Sequence, residues 1–345
     1  MTPYTTCLMI SSVIIGTIIA AAANHWMLAW IGLELNTLAI LPIMTNRHTP
    51  RTNEAATKYF LIQAAASSML LFATTMNTYM TGQWDIAHMT TQPASTMLTL
   101  ALMMKLGVAP LHAWLPEVMQ GTTITLALTL ATWQKLAPFA LLYVAAPALH
   151  TPTMLTLALL STIIGGWGGL NQTQLRKLMA FSSIANLGWI ISMMTINPAL
   201  ALLALIIYII MTTTTFTTMV PTNMKSLKDA TTLWQALPAM TLTLFITLVS
   251  LGGLPPTTGF MPKWFILKEL TFMNFTFLAT SLAMTSLLSL MFYIRIMYLM
   301  TMIISPINPS MQMKWRLTPK PNTLLITTLP TTLLLLPLTP LLITN

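Results

Sequence analysis

The chain has 345 residues, of which 6% are charged and 55% hydrophobic, with a mean hydropathy of +0.76. A soluble domain devotes about a quarter of its residues to Asp, Glu, Lys and Arg, so a water-covered surface is excluded and most of the exterior must face lipid. The net charge of +9 does not indicate nucleic acid, because the basic residues stand singly or in pairs between apolar runs, as topology determinants do.

Apolar stretches long enough to cross about 30 Å of hydrocarbon are predicted at roughly 3–21, 25–44, 57–80, 96–116, 122–146, 152–171, 175–195, 199–220, 235–270, 275–304 and 323–343. The first lacks a basic n-region and the Arg-rich pattern of a transit peptide, so no cleavable leader is expected. Its Cys7 is the only cysteine, which excludes an internal disulfide framework, a four-thiolate iron–sulfur cluster and a cysteine-based zinc site. The fourth span is interrupted by Gly107 and Pro110 and continues to Trp114, Pro116 and Glu117. The fifth carries Lys135 with helix predicted well past it on both sides. The sixth ends in Gly165-Gly166-Trp167-Gly168-Gly169, which follows no strand and lacks GxGxxG spacing; Gly165 and Gly169 instead have the GxxxG spacing of closely packed helices. The ninth is too long for one straight helix and breaks at Leu251-Gly252-Gly253-Leu254-Pro255-Pro256. The Pro-rich basic stretch 305–322 reads as a surface loop before a separate final helix.

Charge tests this count. Eleven crossings put the loops after the second, fourth, sixth, eighth and tenth spans on one face. Those loops or their edges hold Arg47, Arg51, Lys58, Arg176, Lys177, Lys225, Lys228, Lys314, Arg316 and Lys320, whereas the other face has only Lys268 beside Glu269. That is the asymmetry of the positive-inside rule, and it places the N-terminus on the positive face and the C-terminus across the membrane.

Four ionisable residues remain deep in spans: Glu34, Lys105, Lys135 and Lys263. A charge at the bilayer centre costs roughly 2.5–3.5 kcal/mol on insertion scales, so each must face protein, water or another charge. A structural ion pair or a snorkelling lysine is the plain alternative, and Arg295, nearer a span end, is assigned to snorkelling. Two of the lysines lie on broken spans, the fourth and the ninth. A break frees backbone carbonyls, which survive at membrane depth only where protein or water meets them. The two broken spans are five crossings apart, and an odd offset reverses direction. The pattern predicts an all-α polytopic fold with two inverted halves, spans 1–5 and 6–10, and span 11 appended. A buried lysine that gains and loses a carboxylate partner takes up and releases a proton. Glu34 is the candidate partner of Lys105, with Lys135 and then Lys263 next along a water-bridged line and His112 a candidate relay.

Longer segments then point to a family: HWMLAWIGLELN from His25, NEAATKYF from Asn53, KLGVAPLHAWLPEVMQG from Lys105, TWQKLAP from Thr132, GGWGGLNQTQLRKLMAFSSIANLGW from Gly165 and SLGGLPPTTGFMPKW from Ser250. With these the chain resembles the chain 2 family of mitochondrial NADH–ubiquinone oxidoreductase, the antiporter-like membrane-arm subunits of respiratory complex I. Heavy use of Met and Thr suits a mitochondrially encoded animal protein.

The resemblance implies proton translocation driven by NADH-to-ubiquinone electron transfer elsewhere in the complex. It also implies an antiporter-like domain over 1–285 and a C-terminal helix, basic matrix loop and final span over 286–345. Glu34 and Lys105 match the family's glutamate–lysine pair, Lys135 its central lysine and Lys263 the lysine of the second broken helix. Asn186 stands where many relatives have His. No cofactor is expected on this chain; FMN, iron–sulfur clusters, NADH and ubiquinone belong to the complex. Implied partners are the antiporter-like chain 4, the small chain 4L, accessory subunits and lipids, cardiolipin among them, with no nucleic acid. The implied location is the mitochondrial inner membrane, with the N-terminus and basic loops in the matrix. A stand-alone cation–proton antiporter and a non-conducting spacer subunit are the alternatives; the first would be expected to offer more carboxylates than Glu34 alone.

Overall fold

A computed structural model describes residues 2–46, 48–222, 224–302 and 323–334. Arg47 and the predicted basic loop with Lys314, Arg316 and Lys320 lie outside the described residues, as does the end of the last predicted span. The described residues form helices in the order α1 (Pro3–Ala22), α2 (Trp26–Thr45), α3 (Pro50–Thr81), α4 (Gln92–Leu106), α5 (Trp114–Gly121), α6 (Ile124–Ala131) and α7 (Leu136–Ala145). They continue with α8 (Thr151–Leu170), α9 (Leu175–Ser192), α10 (Pro198–Thr222), α11 (Leu227–Ala236), α12 (Pro238–Gly252), α13 (Phe260–Phe272), α14 (Thr276–Met302) and α15 (Thr323–Leu334). Among them α1, α2, α3, α8, α10 and α14 are each long and apolar enough to cross a membrane unaided.

The helix ends follow local chemistry. Thr49 begins α3 with a reciprocal capping box to Thr52, followed by Pro50 in the first turn. Asp229 reaches back from the first turn of α11 to accept the N–H groups of Lys225 and Ser226 at 2.8 and 2.9 Å. Partial burial pushes the pKa of this carboxyl up, but the two N–H groups and the Lys225 charge outweigh that, and the net shift is downward.

The chain divides into two compact units, one formed by residues 1–161 and 190–201 and the other by 162–189 and 202–345. In the first, α1 and α2 meet at glycines: a Cβ on Gly16 would stand 2.9 Å from the Gly32 carbonyl oxygen, and one on Gly32 2.7 Å from the Ala20 nitrogen. In the second, Gly165 admits the backbone of Ala185, Gly166 the side chain of Leu288, and Gly169 the ring of Phe292. The glycine run at the end of α8 is therefore a packing surface for α9 and α14, as its spacing predicts. Arg295, predicted to snorkel, does something more specific: its Nη1 donates to the Leu170 carbonyl at 2.6 Å, capping the C-terminus of α8.

α10 carries a buried run of threonines, Thr212, Thr214, Thr215, Thr217 and Thr218. Each hydroxyl donates to a carbonyl three or four residues earlier in the same helix, at 2.7–2.9 Å.

Both predicted breaks are present, and they are the same device. α4 ends at Gly107 and α12 at Gly253, with φ +76° and +77°, a backbone conformation that glycine adopts without steric cost. Each end is a Schellman cap: Val108 N–H bonds the Met103 carbonyl and Gly107 N–H that of Met104, just as Leu254 bonds Val249 and Gly253 bonds Ser250. From each glycine the sequences run in step, with Pro110 matching Pro256, Trp114 matching Phe260, Pro116 matching Pro262, and Glu117 matching Lys263. The helix resumes at Trp114 in one and Phe260 in the other, seven residues on.

The helix around Lys135 differs from expectation. It is not continuous on both sides of the lysine: α6 stops at Ala131, a 3-10 turn covers Trp133–Lys135, and α7 starts at Leu136. Pro138 explains this, since it has no N–H for the Gln134 carbonyl and its ring crowds that oxygen. A third interruption therefore sits beside the third lysine.

Candidate functional site

Lys105 lies in the last turn of α4, 5% exposed, and its Nζ has no hydrogen-bond partner among the described residues. A buried ammonium without a partner is costly, so this residue marks the centre of the first unit's site. It lines a small cavity of about 10 Å³ together with Leu33, Asn36, Thr37, Tyr59, Gln63, Trp114, Gln134 and Pro138. That is near the minimum volume for a single water molecule, and the polar groups set in a largely apolar wall are of the kind that hold one.

Four segments supply the lining, α2, α3, the broken helix α4–α5 and the 3-10 turn with α7, and hydrogen bonds and a ring contact tie them together. From α2, Asn36 accepts the Gln134 amide at 2.8 Å. Gln134, on the 3-10 turn, in turn accepts the Tyr59 hydroxyl of α3 at 3.5 Å, a long contact. Gln63 lies one turn beyond Tyr59 on the same buried face of α3. Trp114, first residue of α5, sets its ring edge-on to Tyr59, centroids 5.7 Å apart, and donates its indole N–H to the Met104 carbonyl at 3.1 Å.

The predicted residues sort around this frame. Glu34 is half-buried on α2; its carboxylate accepts the Thr37 hydroxyl at 3.2 Å, and it lies within electrostatic reach of Lys105 and Tyr59. Lys135 is 2% exposed on the 3-10 turn that packs against α4. His112 sits inside the break with its Nδ1 3.1 Å from the Pro110 carbonyl oxygen; it is not among the residues lining the Lys105 cavity. The structure thus gathers Glu34, Lys105 and Lys135 in the first unit, while Lys263 belongs to the second.

In that second unit Lys263 is held. Its Nζ donates to the Gly252 carbonyl at 2.8 Å, the last one before the cap glycine, and lies 5.9 Å from the centroid of the Trp189 ring. Tyr293 of α14 lies beside the same carbonyl's residue, its ring 3.6 Å from where a Cβ on Gly252 would stand.

Sequence reasoning missed Asn36, Tyr59, Gln63, Gln134 and Trp114. Their signal was there in weak form: Tyr59 and Gln63 are four apart on a span, and Asn36 and Gln134 flank Glu34 and Lys135 within two residues. At the outer end of this region Lys58, counted as a topology charge, bridges Glu54 on its own helix at 2.6 Å and Glu117 of α5 at 2.7 Å. Among the described residues no group of three or more His, Cys, Asp or Glu is placed to hold a metal ion.

With this geometry in view, comparison with known proteins is specific. The family described as "NADH:quinone oxidoreductase/Mrp antiporter, TM" matches residues 23–289, and "NADH dehydrogenase subunit 2 C-terminus" matches residues 290–343. The chain is 51% identical to NADH-ubiquinone oxidoreductase chain 2 of Xenopus laevis, covering 94% of each chain. It is also 51% identical to the same chain of Tetraodon nigroviridis, covering 99% of this chain and 98% of that one. Among solved structures it resembles a chain of respiratory complex I from Thermus thermophilus with TM-score 0.85 and 24% identity, covering 97% of this chain and 78% of that one. A chain of the Mrp complex from a Dietzia species follows with TM-score 0.78 and 18% identity, over 84% of this chain and 59% of that one. These structural likenesses speak to the fold.

Proposed function

Because the chain belongs to the NADH:quinone oxidoreductase/Mrp antiporter membrane-subunit family and, within it, to NADH-ubiquinone oxidoreductase chain 2, we propose that it conducts protons through Glu34, Lys105 and Lys135 in its first unit. Lys263 does the same work in the second, and His112 is an accessory relay. The chain is a multi-pass core membrane subunit of proton-pumping complex I, an NADH-to-ubiquinone translocase whose FMN and iron–sulfur clusters sit in other subunits.

The observation that carries the conducting role is Lys105: an ammonium 5% exposed, with no hydrogen-bond partner among the described residues, lining a cavity of water size that also presents Asn36, Gln63 and Gln134. A spacer subunit would gain nothing by keeping such a charge, because an apolar residue of similar volume there is neutral or stabilising. A proton carrier needs a group whose charged form is poorly satisfied, so that the proton leaves readily. Glu34, within electrostatic reach, favours the charged form when it is itself ionised, and protonating Glu34 removes that support. Gln134 joins the Glu34 segment to the Lys135 segment through Asn36, which keeps donor and acceptor in register for transfer by way of water.

The finer placement follows the family. Eleven crossings, with α4 and α5, α6 and α7, and α12 and α13 each making one, put the N-terminus and the basic loops in the matrix and the C-terminus in the intermembrane space. This assignment to the mitochondrial inner membrane is supported by the one-sided basic residues. Residues 1–285 act as the antiporter-like conducting domain and residues 286–345 as a C-terminal helix, basic loop and final span; spans 1–5 and 6–10 form the two inverted halves. Neighbours in the membrane arm are the antiporter-like chain 4, the small chain 4L and accessory subunits, with cardiolipin among the bound lipids.

The test is Lys135→Met in the assembled complex of a relative carrying the same lysine. Loss of pumping with the complex intact is expected; unchanged protons per electron would remove the central residue of the route. Purified native assembly separates this reading from a stand-alone antiporter, which would appear without flavin and iron–sulfur subunits.

A further inference from the structure

The two breaks share one cap but not one occupant. A Cβ built on Gly253 would stand 2.8 Å from Lys263 Nζ and 2.9 Å from its Cδ, so the lysine itself lies over the helix end. A Cβ on Gly107 would meet the Trp114 ring instead, at 3.3 Å, so an indole lies over the other. Both occupants donate to a carbonyl of the last turn, Trp114 to Met104 and Lys263 to Gly252. Phe260, which holds in the second break the place Trp114 holds in the first, is stacked on Trp264 and has no N–H to give.

A helix C-terminus is the negative end of the helix dipole and attracts any nearby cation. In the second break nothing aromatic can serve it as a donor from position 260, and the lysine does so. In the first, a neutral N–H is already in place, on a residue 5% exposed and braced edge-on by Tyr59. Lys105 and Trp114 line the same cavity, yet the ammonium has no partner there.

We infer that Trp114 is a positioning residue for proton transfer: by covering the carbonyl end of α4 with its indole N–H, it keeps the Lys105 ammonium from settling there. This rests on the conducting role of Lys105 proposed above. Nothing but the N–H is invoked, so the inference separates from a packing role for the ring. Without that N–H the Met104 carbonyl, still held by the Gly107 N–H of the cap, offers its second lone pair to an unpartnered cation that shares the cavity with Trp114. A hydrogen bond from a charged donor then forms and holds the proton on Lys105.

The decisive variant replaces Trp114 by 3-benzothienylalanine, which has the shape of the indole and no N–H, in the intact complex I of a relative with the same tryptophan and lysine. Trp114→Phe, which copies position 260, is the genetic counterpart. Both are expected to slow coupled turnover about tenfold, the scale of one charge-assisted hydrogen bond, and to change the shape of its pH profile. The other titratable groups facing this region keep their protein partners in the isostere: Glu34 on α2, Glu54, Lys58 and Tyr59 on α3, His112 in the break, Glu117 on α5 and Lys135 on the 3-10 turn. A purely structural tryptophan predicts a normal rate and profile with the isostere and a loss of assembled complex with Trp114→Phe, and that result overturns the inference. Lys105→Met in the same complex separates the two layers. If it leaves pumping intact, the conducting role itself fails; if it stops pumping while the isostere runs at the normal rate, only the role of Trp114 falls.

Discussion

The broken helices at Gly107 and Gly253 begin from one backbone solution and end with lysines in opposite conditions. Cap geometry, glycine conformation, the following proline and the seven-residue gap agree. One lysine stands before its cap, in a cavity and unpartnered; the other stands ten residues after its cap and is bonded to the helix end. The difference teaches that a proline–glycine break in a membrane helix is a chemical offer rather than a function. What it does depends on which donor reaches the carbonyls of the helix end, and here an indole in one unit leaves its lysine at large while a phenylalanine in the other does not.

The comparison breaks most easily at the lysines. Lys105→Met and Lys263→Met should both abolish or strongly reduce pumping, but their effects on stability should diverge. Removing Lys263 leaves the Gly252 carbonyl unbonded, a loss of about 1–3 kcal/mol, whereas removing Lys105 deletes an unsatisfied buried charge and should cost no stability. Thermal unfolding of the purified complexes reads the difference. Equal destabilisation would mean that both lysines are bonded alike.

The glycines sharpen it next. Either Gly→Ala change forces a side chain into the left-handed region, at about 1–2 kcal/mol. At Gly253 the new methyl would also strike Lys263, while at Gly107 it meets the Trp114 ring at 3.3 Å. Gly253→Ala should therefore lower both complex yield and pumping, and Gly107→Ala chiefly yield. Equal losses of pumping would contradict the assigned occupants.

The smallest effect lies at the entry to the second break. The pKa of Asp229 is lowered from its usual 3.8, so its cap on α11 is fully formed above that value. The stabilisation fades as the pH falls through the lowered folded value. α11 packs on α12 and α14, so hydrogen exchange should show the start of α11 loosening at acid pH before α3 and α4. Asp229→Asn should remove that pH step.

Much of this was legible. Gly107, Pro110, Gly253 and the Pro255-Pro256 pair announce their breaks because both residue types act on the chain locally. The buried charges announce themselves because lipid tolerates them so poorly, and the run from Gly165 to Gly169 reads as packing because a missing Cβ has few other uses in a span. Pro138 was overlooked, although it disturbs the turn holding Lys135 by the same local rule, because it lies within a long apolar stretch with no glycine beside it. Arg295 could not have been assigned from sequence, since its acceptor, Leu170, is 125 residues away. The roles of Trp114, Gln134 and Asn36 depend on distances across three segments, and no spacing along one helix reports those.

The threonines of α10 set a limit on where a proton can travel. A hydroxyl relays a proton only if it can give one while taking another. The five buried hydroxyls of this run each have their hydrogen pinned to their own helix at 2.9 Å or less. They can lean toward a passing donor with a lone pair, but they have nothing free to pass on. In a chain so rich in threonine, polarity and conductivity are therefore different properties. A map of the polar side chains would draw a wire along α10, and there it would be insulated.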